Sequence, residues 1–216
     1  MKLLPRLLLL LLALAPLSAC SATPATALVE GDDYDLIANA GPFAPLAGKI
    51  EVVEVFGYTC PHCAHFEPQL KEWVGKQPAD VRFTPVPAAF GGYWDSYARA
   101  FYAAEQTGVL SRSHADVFKA LHESRSLPAQ NVTPDELATF YSSYGVQPAQ
   151  FVEALRSQAV EDKVKNARAF AMRVQVPGTP AIIVNGKYLV KGRNFDDILR
   201  ITSALVARER AATPRR

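Results

Sequence analysis

Two cysteines, Cys60 and Cys63, sit in the stretch VFGYTCPHCAHFEP (55–68) with Pro61 and His62 between them. Four chemistries use such a pair. Covalent haem attachment requires a histidine directly after the second cysteine, and Ala64 stands there. A structural zinc site needs four ligands, commonly as two separated pairs. Here Cys60, His62, Cys63 and His65 crowd together, and His114 and His122 lie far along the chain. A purely structural disulfide would close a very small loop, where the gain from loop closure is least. Redox exchange uses every feature. A strand and a short loop put Cys60 at the N-terminal end of a helix, where unpaired backbone N–H groups and the helix dipole favour an anion. The thiol pKa falls and Cys60 becomes the attacking thiolate. Pro61 occupies the first turn, where its missing N–H costs nothing. His62 adds a donor or a positive charge beside the sulfur. Cys63, one turn in and more buried, suits the resolving role.

The elements that must position this pair are legible on either side of it. KIEVVEVFG (49–57) is β-branched and almost continuously apolar, the pattern of a strand buried on both faces of a sheet. The next helix is predicted from about Cys60 to Lys76, with Pro68 kinking it or forcing a break. VRFTPVP (81–87) reads as a second strand. From Tyr93 to Arg173 the pattern is helical. WDSYARAFYAAEQTG ends in a glycine stop, and TPDELATFYSSYG opens with Thr133, Pro134 and Glu136 as a capping box. PAIIVNGKYLVKG carries an Asn185-Gly186 hairpin signal, and NFDDILRITSALVARE closes as an amphipathic helix capped by Asn194. Strand–helix–strand, a block of helices, then hairpin–helix spells one α/β domain with a helical insertion.

The first residues indicate where this chemistry takes place. MKLLPRLLLLLLALAPLSAC has a short basic start and an apolar run, Leu7 to Ala15, with the length of an export-signal core rather than of a membrane span. LSAC (17–20) resembles a bacterial lipobox, in which the cysteine is lipidated and becomes the new N-terminus. The alternative is an ordinary cut near ATPATA that leaves Cys20 as a spare thiol. SATPATALVEGDDY (21–34) reads as a flexible tether, and the basic end ARERAATPRR as a frayed tail. Lys2 and Arg6 leave with the signal, so the 23 basic and 21 acidic side chains of the 216-residue chain become evenly matched. Such a chain has no electrostatic footprint for nucleic acid.

From about Leu46 to Ala207 the chain resembles the DsbA family of thiol:disulfide oxidoreductases. CPHC is that family's active-site tetrapeptide, and GTPAIIVNGKY (178–188) resembles its second landmark, a cis-proline followed by a strand and hairpin. The resemblance implies a thioredoxin-like α/β fold with an inserted α-helical domain. The implied organisation is an export signal (1–19), a lipid tether and N-terminal segment (20–44), a thioredoxin-like domain in two parts (45–93 and 166–207), the helical insertion (94–165) and a basic tail (208–216). No cofactor is implied beyond the Cys60–Cys63 disulfide. The implied partners are newly exported or unfolded cysteine-containing proteins and a quinone-linked membrane reoxidant of the DsbB type. The place is the bacterial periplasm, with the membrane reached through the lipid on Cys20 alone.

Glu54 interrupts the first buried strand. It is either an inward acid, matching a family carboxyl that takes the proton of Cys63, or a charge pointing out from an edge strand. Glu67, one turn beyond Cys63, matches another acidic family position or is a solvated surface charge. His65 reads as a surface or packing histidine. The resemblance implies a cis bond between Thr179 and Pro180, facing the disulfide and turning the Thr179 backbone toward a substrate strand. Two departures stand out: Thr179 replaces a valine of the best-known member, and Pro85 falls about where that member pairs a lysine with the buried acid. The leading reading is a disulfide donor. A reductase or isomerase competes within the class, and outside it a lipid-anchored metal-delivery protein or a peptide-binding chaperone.

Overall fold

The computed structural model describes residues 27–212; the export signal and Cys20 lie outside them. Five strands form one sheet in the order β1-β5-β4-β2-β3. They are β1 (Tyr34–Leu36), β2 (Ile50–Phe56), β3 (Val81–Pro87), β4 (Ala181–Val184) and β5 (Tyr188–Val190). β2 runs parallel to β3 and antiparallel to β4. The helices are α1 (Pro61–Gly75), α2 (Tyr93–Gln106), α3 (Leu110–His122), α4 (Pro134–Ser142), α5 (Pro148–Arg156), α6 (Gln158–Arg173) and α7 (Phe195–Ala212).

All seven residues of β2 are buried, because both faces of the sheet are covered. Ile50 and Val52 join Phe66 and Leu70 of α1 and Ile201 and Leu205 of α7 in one apolar cluster. Val53 and Val55 belong to the other, which runs through α2 to α6. Side chains two apart share a face of a strand, so Glu54 lies on the α1 side. Burying two or three such aliphatic side chains stabilises the fold by about 1.5–3 kcal/mol each, and this fixes the register that aims Glu54.

The predicted hairpin forms at the Asn-Gly pair. Asn185 and Gly186 take φ of 51° and 62°, and Lys187 N–H closes the turn on Val184 O at 2.9 Å. A Cβ on Gly186 would sit 1.8 Å from Gly41 O, so glycine is required there for space as well as conformation. The capping box at Thr133 is complete in both directions, and Asn194 Oδ1 accepts from Asp197 N–H at 2.9 Å.

Three expectations need correction. Pro68 lies inside α1 without breaking it; its missing N–H removes one rung while the buried face of Cys63, Phe66 and Leu70 holds the helix together. The supposed tether already joins the sheet at Tyr34, where β1 pairs with β5. The supposed basic tail continues α7 through Ala212. Arg208 lies over the Tyr34 ring and donates to its hydroxyl at 2.8 Å, and Glu209 accepts from Asn185, Lys187 and Tyr188. The 165/166 position, where the insertion is expected to meet the second half, falls within α6.

Candidate active site

Cys60 is the N-cap of α1 and Pro61 its first helical residue. Both cysteines are free thiols and buried, Cys63 the more deeply, at 1% exposure against 8%. The pair is strongly asymmetric. Cys60 is lowered to about 5 from a usual value near 9. The hydrogen bond from the Cys63 thiol is the largest cause; burial opposes it, and the Thr179 side chain and the backbone at Cys63 and His62 assist. Cys63 is pushed far above the ordinary thiol range, first because its proton is held by the Cys60 sulfur and then by burial and by Glu54. Gly57 N–H, 3.5 Å from the Cys63 sulfur, works weakly the other way. One sulfur is thus a stable anion at neutral pH and the other keeps its proton.

The chain meets this pair from the far side of the sequence at Thr179–Pro180, whose peptide bond is cis. As a thiol, Cys60 donates to the Thr179 carbonyl at 3.3 Å. Glu54 is 3% exposed on a central strand, with Pro85 and Ile182 as its register neighbours. Its carboxyl is held well above the usual range, first by burial, then by the negative charges of Glu67 and Cys60. The edge-strand alternative for Glu54 therefore fails. Glu67 is not a solvated surface charge either. It lines a groove of about 560 Å³ between α1, β3, α2 and α3, with Oε2 3.6 Å from His114 Nε2. The His62 and His65 side chains are exposed.

This arrangement can exchange disulfides: a stabilised thiolate at a helix N-terminus stands over a more deeply buried partner thiol, with a buried acid acting on that partner. The Thioredoxin family model matches residues 46–203. The chain is 38% identical over 185 residues to a thiol:disulfide interchange protein DsbA from Pseudomonas aeruginosa, covering 84% of this chain and 86% of that one. It is 37% identical over 202 residues to one from Pseudomonas syringae, covering 92% of each. Among solved structures, oxidoreductase DsbA from Xylella fastidiosa superposes with a TM-score of 0.84 at 58% identity, over 85% of this chain and 98% of that one.

The chain belongs to the DsbA family.

It is a DsbA-type thiol:disulfide oxidoreductase on a thioredoxin-like fold with inserted helices. Two features of this DsbA site escaped the sequence reading. Trp94 packs so closely on Gly57 that a Cβ there would lie 2.1 Å from its ring, which lets the strand-to-helix loop pass beneath α2. Tyr58, also buried, is gripped by α3: its hydroxyl meets His114 Nδ1 at 2.7 Å and its carbonyl meets His122 Nε2 at 2.7 Å. The signal available was the four-residue spacing of His114, Phe118 and His122, which sets all three along one face of a helix.

Proposed function

We propose that this DsbA-family chain is an exported oxidase that donates its Cys60–Cys63 disulfide to newly exported proteins. What supports this is the place of Cys60 at the N-cap of α1, against Cys63 and 3.3 Å from the Thr179 carbonyl, a setting that lowers its thiol to about 5. Against an ordinary thiol near 9, the reduced form gains about 2.7 kcal/mol at pH 7, because only the part of the shift below the solution pH is fully realised. That raises the reduction potential by about 60 mV, by the same reasoning long applied to DsbA itself. A disulfide whose reduced form is favoured gives itself away.

In the proposed cycle a substrate thiolate attacks the Cys60 sulfur. The Cys60–Cys63 bond breaks, and Cys63 leaves as a thiolate that takes the proton of Glu54. A second substrate thiolate then attacks the substrate sulfur of the mixed disulfide and releases Cys60 as its stabilised anion. Pro61 and the backbone at His62 shape the pocket for that anion. Thr179 and Pro180 present the backbone against which an extended substrate segment pairs. A DsbB-type membrane partner drives the reverse exchange, in which Glu54 accepts the Cys63 proton.

The export signal and LSAC sequence support a periplasmic location with a lipid on Cys20. No helix among the described residues is long and apolar enough to cross a membrane. Palmitate labelling of wild type against Cys20→Ala tests the anchor: a wild type that stays unlabelled removes it. The oxidase reading is tested by equilibrating the purified protein with a glutathione series. A potential well above that of glutathione is expected, and one as reducing as thioredoxin would replace the oxidase by a reductase.

A further inference from the structure

The proposed cycle moves one proton onto or off Cys63 each turnover, and Glu54 must therefore trade that proton with solvent. Glu54 is sealed between β3 and β4 and almost unexposed. A groove among the described residues reaches its neighbourhood. Pro85, the register partner of Glu54 on β3, also lines the groove that holds Glu67, Lys71, Glu105 and His114. Glu67 is near enough for its charge to act on Glu54.

We propose that His114 is a positioning residue for proton exchange at Cys63, holding the Glu67 carboxylate at the mouth of the route between Glu54 and solvent. This rests on the reading of Glu54 given above. His114 belongs to α3, in the helical insertion, and is fixed from every side. Its ring packs against Phe56 and Tyr58, both at 5.2 Å, and Phe118 at 5.4 Å. Nδ1 is bonded to Tyr58 Oη at 2.7 Å, and Nε2 looks at Glu67 Oε2 across 3.6 Å. Burial and neighbouring groups hold the Tyr58 phenol well above its usual range, so it stays a proton donor. A carboxylate opposite Nε2 favours the ring proton there, leaving Nδ1 to accept from Tyr58.

The charged and titratable groups around the ring are few. Glu67 and Lys71 come from α1, Glu105 from α2 and Tyr58 from the β2–α1 loop, with Tyr141 and Tyr144 acting on Tyr58 in turn; β3 contributes only Phe83 and Pro85. When the Cys60 mixed disulfide is resolved, the Cys63 proton passes to Glu54. The Cys63 sulfur then bonds to Cys60, the bond from Cys60 to the partner sulfur breaks, and the partner leaves with the electron pair. The proton on Glu54 passes to groove water past Glu67. Without His114 the Glu67 carboxylate loses its partner, and its uncompensated charge makes Glu54 hold the proton more tightly.

The test is the decay of the Cys60–glutathione mixed disulfide in the reduced purified protein mixed with oxidised glutathione, followed from pH 5 to 9. His114→Phe keeps the ring packing and removes both polar contacts. Its rate at pH 6 is expected to fall about three- to tenfold, converging with wild type at high pH. His114→Gln, whose amide still reaches Glu67, should recover part of the loss. The Cys60 thiolate titration should stay in place in both variants. A His114→Phe profile that superimposes on wild type overturns the proposal, as does an equal fall at every pH, which marks a packing defect. Glu54→Gln separates the two readings. If it leaves the acid limb unchanged, the role of Glu54 fails. If it flattens the limb while both His114 variants match wild type, only the role of His114 fails.

Discussion

Glu51 and Glu54 stand three residues apart on β2, and both are buried, at 0% and 3% exposure. Their odd spacing sends them to opposite faces of the sheet. Glu51 is saturated. Its carboxylate accepts from Phe43 N–H at 2.7 Å, Ala44 N–H at 3.3 Å and the Arg82 guanidinium at 2.8 Å. Glu54 meets a proline on one neighbouring strand and an isoleucine on the other, and the charges that reach it are negative. The first acid is a clasp that ties the N-terminal segment and β3 to the sheet. Among the described residues the second has no hydrogen-bond donor, which is what the proton exchange proposed for it requires. Burial alone does not raise a carboxyl pKa this far; burial without donors or positive charge does.

The largest break in this comparison comes from Glu51→Ala. It leaves the Phe43 and Ala44 N–H groups without their acceptor and takes the carboxylate from Arg82, which keeps the Pro45 and Ala44 carbonyls, and should cost about 2–4 kcal/mol in urea unfolding, with insulin reduction per folded molecule unchanged. Glu54→Gln should do the opposite: the Cys63 resolving step slows about ten- to a hundredfold while the fold gains stability. The sign follows from proton counting. The native state binds the Glu54 proton more tightly than the unfolded chain, so wild-type stability falls as pH rises from about 4.5 toward the raised native pKa. The variant escapes that fall, so the two unfolding curves should coincide at low pH and separate above it.

The cysteines supply a third test. Thiolate absorbance should appear with a midpoint of about 5 at Cys60 and vanish in Cys60→Ser. The advantage of the reduced state over an ordinary dithiol should therefore grow from pH 5 to 9 and disappear below. Glu67→Gln should have the smallest effect. It removes one negative charge facing Glu54 and should lower the pH midpoint of the resolving step by less than about one unit.

The sequence made one half of this contrast visible. KIEVVEVFG reads as a doubly buried strand because its apolar residues are continuous, and that alone makes any carboxyl in it suspicious. Which carboxyl is chemical depends on what the neighbouring strands and the 43–44 loop offer, and those contacts are set by folding. CPHC, the capping box and the Asn-Gly turn are local signals, and each appears where expected. β1 has three residues in a polar stretch, too short for periodicity to register, and β5 creates it by offering an edge. The last turn of α7 looked like a basic tail because its contacts, Tyr34 and Asn185, are remote in sequence. His114 and Tyr58, 56 positions apart, are joined only when the helical insertion closes over the sheet.

The strand order has a mechanical consequence. β1 lies at one edge of the sheet, with β5 and β4 between it and β2. A pull on the N-terminal end of the chain is therefore met first by the bonds of Lys191 and Arg200 to Gly31 and Asp33, then by the short β1–β5 ladder and the grip of Arg208 on Tyr34. Such a load can peel the edge strand while the strand bearing Glu54 and the loop to Cys60 stay unstressed. A protein tugged at its N-terminus would keep its redox centre in register, with β1 serving as its strain relief.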